Sequence, residues 1–207
     1  MAMIALVGFT IVSYLIGAIP FAWLVAKAKG IDIRSVGSGN VGATNVFRSI
    51  GKGWGVLTFA LDVAKGFSPA FLIPLLWSTA DWPQNSGLLF GCAAIAGHNW
   101  PIYLKFKGGK GVATSAGVLL GVAPASIGIG LVVWLLSFAI SRYVSLASIL
   151  AAAAIPVAAW LLYGATNPLL STVLTLLGGI VIWRHRSNIV RLRAGTEHRF
   201  DRRKVKS

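Results

Sequence analysis

Acidic residues and cysteine are scarce in this chain, and charge of either sign is missing from long stretches of it. Five Asp and Glu stand against 19 Lys and Arg in 207 residues, and there is one cysteine. The lone Cys92 excludes an intramolecular disulfide, and its place in an apolar run marks it as a small packing residue. Charged residues make up 12% of the chain, against about a quarter in a soluble domain, while 56% are hydrophobic and the mean hydropathy is +0.77. From Ile4 to Ala26 there is no charge at all. About 23 apolar residues at 1.5 Å each span a bilayer core of roughly 30 Å, so this stretch is a membrane helix. Met1 to Thr10 has no Lys or Arg, hence no basic n-region of a cleavable signal, and a retained first span is expected. No grouping of Cys, His and carboxylates has metal-ligand spacing, so neither a metal nor another cofactor is called for.

What is present is organised by the basic residues. They fall in four places: Lys27 to Lys65, then Lys105, Lys107 and Lys110, then Arg142, then nine from Arg184 to Lys206. The connections at 78–86 and 164–168 have none. Short loops rich in Lys and Arg stay cytoplasmic, so the net charge of +14 reports membrane sidedness and not a nucleic-acid surface. Apolar stretches run over 4–26, 54–77, 87–104, 112–140, 144–163 and 168–183. Six crossings from an outside N-terminus would leave the basic C-terminal segment outside, against the positive-inside rule. Residues 112–140 resolve this if they break near Gly121 and Pro124 into two helices, because proline removes a backbone donor and disfavours helix just before it. The expectation is therefore an all-α, polytopic membrane protein with seven transmembrane helices, some of them short. Its N-terminus is periplasmic and its C-terminus cytoplasmic. A five-span version with 144–183 folded differently keeps the same sidedness. One integral-membrane domain covers residues 1–207, and residues 201–207 form a basic cytoplasmic tail.

Three polar segments then face the cytoplasm: "GSGNVGATNVFR" at 37–48, "KFKGGKGVAT" at 105–114 and "RHRSNIVRLRAGTEHRF" at 184–200. The first contains the spacing G-x-G-x-x-G, but that fingerprint means a dinucleotide fold only between a strand and a helix of a βαβ unit, and here a membrane helix precedes it. "GGKG" is not a Walker A loop, since Leu104 stands where its first glycine belongs and Gly111 follows Lys110. Glycine with small polar residues lets backbone amides cradle an anion, and Asn40, Thr44, Asn45, Arg48 and Lys110 point to a phosphate site. Close helix packing is the bland alternative for the glycines. In the third segment His185 and Asn188 are three apart, so a helix puts them on one face with Leu192, flanked by Arg184 and Arg191. The pair is read as touching substrate. Arg202, Arg203, Lys204 and Lys206 are read as an anchor for anionic membrane lipids. Asp62 and Lys65 are placed to pair on one helical face, for structure or for function alike. His98, ahead of Pro101, is read as an isolated, packed histidine.

In this order between apolar spans, "GSGNVGATN", "GGKGVAT" and "RHRSNIVRLRAGTEHRF" closely resemble the three motifs of the bacterial acyl-phosphate:glycerol-3-phosphate acyltransferase family, PlsY. The resemblance implies a seven-span enzyme of the bacterial inner membrane with its active site on the cytoplasmic side, here taken as a monomer. It implies transfer of a fatty acyl group from acyl phosphate to the 1-hydroxyl of glycerol 3-phosphate, giving lysophosphatidic acid and phosphate. Carried over position by position, the first motif falls on Ser38, Gly39, Asn40, Gly42, Ala43, Thr44, Asn45 and Arg48. The second falls on Gly108, Gly109, Lys110 and Gly111, and the third on His185, Asn188, Arg191, Gly195 and Glu197. Catalytic roles are expected of Ser38, Lys110, His185 and Asn188, and substrate binding of the rest, Gly195 apart.

Such a reaction needs two anion pockets at the membrane surface. Amides around Ser38 to Asn45 with Lys110 are expected to hold the acyl-phosphate headgroup. Arg48, His185 and Asn188 are expected to hold glycerol 3-phosphate and orient its hydroxyl. The His-x4-Asp pair of soluble-type glycerolipid acyltransferases is absent, since Tyr103, Val190 and Arg203 stand five residues beyond the three histidines. A phosphate dianion with a second pKa of about 6 can itself accept the hydroxyl proton, so substrate-assisted transfer is favoured, with His185 as the alternative base. A Ser38 acyl-enzyme is disfavoured because no base neighbours Ser38 in sequence. The rival class is an organic-phosphate transporter or channel. Transporters of that kind show repeated halves with matching broken helices, and no internal repeat relates the three motifs.

Overall fold

The computed structural model describes residues 1–77 and 82–200. The expected basic tail and part of the 78–86 connection lie outside the described residues. All regular structure among the described residues is helical. Lipid offers no partner to a backbone amide or carbonyl, so a chain this apolar must satisfy them within its own helices. Several hydroxyl side chains in the spans follow the same rule by returning to the carbonyl four residues back, as Ser13 does to Phe9 (2.6 Å) and Thr58 to Trp54 (2.8 Å).

The chain divides into two compact units, one over Met1–Val122 and one from Ala123 onward. In the first, α1 (Ala2–Ala18) and α2 (Phe21–Ala28) form one apolar stretch interrupted at Pro20. A loop then leads to α3 (Ala43–Ser49) and α4 (Lys52–Phe67). A widened turn at Ser68–Leu72 carries α4 on into α5 (Ile73–Trp77). Pro69 lies in that turn, where its missing amide and its ring forbid the regular helical hydrogen bond. The 14-residue α6 (Ser86–Asn99) and the 11-residue α7 (Val112–Val122) complete the unit. Small residues bring the helices close: Gly17 of α1 abuts the Ala94 backbone of α6, and Gly66 of α4 the Thr114 carbonyl of α7. The packing reading of glycine therefore holds within the spans.

The second unit consists of α8 (Pro124–Ser141), α9 (Val144–Tyr163), α10 (Pro168–Arg184) and α11 (Arg186–Arg193). Trp134 donates to Ser148 (3.2 Å) between α8 and α9, and Ser171 to the Ala159 carbonyl (3.0 Å) between α10 and α9. The break expected near Gly121 and Pro124 is found at Ala123, whose backbone (φ −149°, ψ 59°) lies outside the helical region that a following proline disfavours.

Four helical stretches are long and apolar enough to cross a membrane, or five if the bent pair α10–α11 counts as one. The sidedness and the full count of seven are not fixed by helix length, because α6 and α7 are shorter than a bilayer core is thick. Only 11% of α8 is buried, and Ile140 and Leu161 are each 81% exposed, a surface that only lipid can solvate.

Candidate active site

In the first unit the loop between α2 and α3 is seated by Ile33 and Val41, which join Ala22, Ala26, Val46 and Leu104 in one apolar cluster. Its shape is fixed by the carboxamide of Asn45, buried in the first turn of α3. Asn45 Nδ2 donates to the carbonyls of Ile33 (3.0 Å), Val36 (3.1 Å) and Asn40 (3.1 Å), while Oδ1 accepts from the Ser38 amide (3.0 Å). Gly37 passes over that carboxamide at φ +58°, and a Cβ there would collide with Asn45 Oδ1. Ser38 is thereby held exposed at the surface, with Gly39, Asn40, Gly42, Ala43, Thr44 and Arg48 half-buried around it.

These bonds narrow the expected cradle. The amides of Ser38, Gly39 and Asn45 are engaged within the loop, with Asn45 Oδ1, the Val36 carbonyl and the Gly42 carbonyl. The loop's own hydrogen bonds leave the amides of residues 40–44 unused. Asn45 itself is occupied in holding the loop. Arg34 is also committed, forked onto Asp32 through Nε and Nη2 at 2.9 Å each, and that guanidinium holds the Asp32 carboxyl below its ordinary value. The motif cations that the sequence reading assigns to an anion are Arg48 and Lys110.

The second glycine segment turns back onto the end of α6. Its entry is tight, with Lys105 and Phe106 both at positive φ (52° and 62°), and the Gly109 amide donates to the His98 carbonyl (3.2 Å). Gly109 faces both the His98 ring and the Val41 carbonyl with the side that would carry a Cβ: a Cβ there would overlap the ring and lie 3.1 Å from the carbonyl. The two glycine segments therefore meet, as the sequence led us to expect. Gly109 and Gly111 are buried and Gly108 half-buried, and Lys110, half-buried, stands just ahead of α7.

Beneath this junction lies a group that sequence reasoning did not assemble. Asp62 and Lys65 form the expected ion pair (2.8 Å), but His98 is not isolated, since its Nδ1 lies 3.7 Å from the same Asp62 oxygen. Lys65 also donates to the Ile19 carbonyl (2.7 Å) at the break between α1 and α2. All three side chains are at least 93% buried, and with Pro20, Val41, Gly108 and Gly109 they line a cavity of about 210 Å³ including its open mouth. No spacing rule links position 62 to 98; only the packing of α4 and α6 does so.

In the second unit, α10 and α11 meet at 53°, and His185 occupies the bend. The helix expected to carry both His185 and Asn188 begins one residue later, at Arg186, yet both side chains are buried. His185 Nδ1 lies 2.8 Å from the Val181 carbonyl. A carbonyl only accepts, so Nδ1 carries the proton and the neutral ring's lone pair is on Nε2. Glu197 returns after α11 and takes three donors: Asn188 (2.8 Å), Arg191 (2.7 Å) and Ser145 of α9 (2.9 Å). Burial pushes its carboxyl pKa up, but the hydrogen bonds from Asn188, Arg191 and Ser145 outweigh this and hold it below the ordinary value. Ser145 was missed by sequence reasoning, for it lies 52 residues from Glu197 with no motif around it.

With this geometry in view, the comparisons are direct. The family model described as glycerol-3-phosphate acyltransferase matches residues 7–195. The chain belongs to that family. A glycerol-3-phosphate acyltransferase of Aquifex aeolicus is 46% identical over 190 residues, covering 92% of this chain and 96% of that one. One from Geobacter metallireducens is 48% identical over 188 residues, covering 91% and 94%. The fold matches crystal structures of PlsY, an integral membrane glycerol 3-phosphate acyltransferase. Its glycerol 3-phosphate form aligns with a TM-score of 0.86 at 43% identity, and its lysophosphatidic acid form with 0.82 at 42%, each covering 95% of this chain and 96% of the other. The family is integral to the membrane, as the exposed apolar helices here require.

Proposed function

We propose that this chain transfers a fatty acyl group from acyl phosphate to the 1-hydroxyl of glycerol 3-phosphate at the cytoplasmic face of a bacterial inner membrane. The observation that carries the reading is the apposition of the two glycine segments, Gly109 against Val41, with Lys110 the next residue along the chain. That surface is chemically suited to a phosphate group, since amides and an ammonium hold an anion without needing a metal. The solved relatives in glycerol 3-phosphate and lysophosphatidic acid forms support the acceptor and the product. The donor rests on chemistry: an acyl phosphate is a mixed anhydride whose leaving group is the kind of anion this surface suits.

The hydroxyl oxygen attacks the acyl carbonyl carbon, the carbonyl carbon–phosphate oxygen bond breaks, and the hydroxyl proton passes to the departing phosphate. Lys110 and the amides of residues 40–44 stabilise charge on that phosphate. Ser38 stands at the exposed edge of the same surface, and Gly39, Gly42, Ala43 and Gly111 shape it. Arg48, His185, Asn188 and Arg191 serve glycerol 3-phosphate and hold it in place for attack, His185 in its Nδ1-protonated tautomer. The same tautomer favours one second reading, in which His185 takes the proton itself. Asn45 and Glu197 are positioning residues, since their polar atoms are engaged in holding the first and third motifs.

The membrane arrangement that goes with this function has seven crossings, α6 and α7 being the thin ones, an outside N-terminus and a cytoplasmic C-terminus. A monomer suffices, since one chain carries all three motifs. Detergent-solubilised protein given palmitoyl phosphate and glycerol 3-phosphate is expected to release lysophosphatidate and phosphate without any sealed compartment. No product would overturn the reading and return the transporter class. Product from palmitoyl-CoA or acyl carrier protein but none from palmitoyl phosphate would overturn the donor alone.

A further inference from the structure

The buried Asp62–Lys65–His98 group has no part in the transfer just described, yet it is costly to keep. Two charges at membrane depth carry a desolvation penalty that a pair of apolar side chains avoids. The three residues also sit at a junction. Lys65 reaches the Ile19 carbonyl where α1 gives way to α2, Asp62 joins Lys65 to the His98 ring, and His98 meets the second glycine segment twice. Its carbonyl accepts the Gly109 amide (3.2 Å), and its ring fills the space that a side chain at 109 would need. The same side of Gly109 faces the Val41 carbonyl of the first segment, 3.1 Å from where a Cβ would stand, and Lys110 is the next residue.

We propose that His98, held by the Asp62–Lys65 ion pair, is a positioning residue that sets the second glycine segment against the first and so fixes where Lys110 presents its ammonium. This rests on the functional reading above only in taking Lys110 as the phosphate-facing cation. The ring's orientation is the working part. Rotation away from Asp62 would open the space beside Gly109 and let the segment leave Val41. A misplacement of about 1 Å in a group that must meet a phosphate is worth about 10²-fold in rate.

The test is a double-mutant cycle in purified protein. His98→Phe keeps a planar aromatic ring, somewhat larger, and removes the nitrogen facing Asp62. Asp62→Asn combined with Lys65→Met removes the pair without leaving a lone buried charge, so it keeps the fold where Asp62→Asn alone would not. Both variants are expected to keep the thermal midpoint within a few degrees and to lose about 10²-fold in kcat/KM for palmitoyl phosphate. In a Lys110→Met background the His98→Phe loss should vanish, because residues that act through one another are not additive. The cycle is also read on the dissociation constant for inorganic phosphate, which needs no turnover and so stands even if wild-type protein makes no lysophosphatidate. Near-wild-type kinetics in the two variants, or losses that multiply with Lys110→Met in either readout, would overturn the proposal.

Discussion

Replacing Asn45 by Asp is the sharpest perturbation available in the first motif, because it changes a donor into an acceptor without changing shape. Three carbonyls converge on Nδ2, from Ile33, Val36 and Asn40, at 3.0 to 3.1 Å. In the variant an oxygen faces all three. The Ile33 carbonyl is bonded in a buried setting and would be left without its donor, a cost of about 1–3 kcal/mol. The other two bonds are part-buried, so water recovers much of each and the net loss is about 0.5–1.5 kcal/mol apiece. These losses come to about 2–6 kcal/mol, and repulsion between a carboxylate and carbonyl oxygens adds to them, so the loop is destabilised by at least that much. Asn45→Ala loses these bonds and the acceptor of the Ser38 amide as well, but it escapes the repulsion, which outweighs that one bond, so it should fall between Asp and wild type. The assay pairs the thermal midpoint of micelle-solubilised protein with lysophosphatidate formation. The expected order in both readouts is wild type, then Ala, then Asp. If Asn45 instead touched substrate and did nothing for the loop, activity would fall with the midpoint unmoved. Stability equal to wild type in the Asp variant would refute the reasoning outright.

Three further outcomes follow from the site. Glu197→Gln faces Arg191 with an amide that is both donor and acceptor and removes charge from three hydrogen bonds, and should lower stability by about 1.5–3 kcal/mol at neutral pH. Because the folded carboxyl titrates below its ordinary value of 4.5, its contribution is present above that pH and is lost as pH falls through the folded value. The gap between the midpoints of Glu197→Gln and wild type should therefore narrow below about pH 4.5, and a gap independent of pH would contradict the linkage. His185→Gln should reduce kcat by less than about 10²-fold if the departing phosphate takes the proton, whereas a loss near the 10²–10⁴-fold typical of a general base would assign that role to His185. Gly109→Ala drives a methyl into the His98 ring and toward the Val41 carbonyl, so it should cost at least about tenfold in kcat/KM while leaving the protein foldable. Wild-type kinetics in that variant would mean that the two glycine segments need not touch.

What could be read from the sequence divides along a physical line. Apolar periods and proline breaks are local, so the stretches 144–163 and 168–183 match α9 and α10 almost to the residue, and the break before Pro124 lies where the proline puts it. The motifs are local too, which is why the loops came into view before the packing did. Two kinds of fact were not local. One is which polar atoms are already engaged: Asn45 and Glu197 carry groups that suit a ligand, and only the folded loop reveals that their bonds close on the chain itself. The other is long-range assembly, as when α4 brings Asp62 to His98 or α9 brings Ser145 to Glu197. The carboxylates among the described residues are used as fasteners. Asp32 holds Arg34, Asp62 pairs Lys65 and Glu197 pairs Arg191. Each of them therefore fixes the position of a cation in its own segment, which no reading of a motif alone could show.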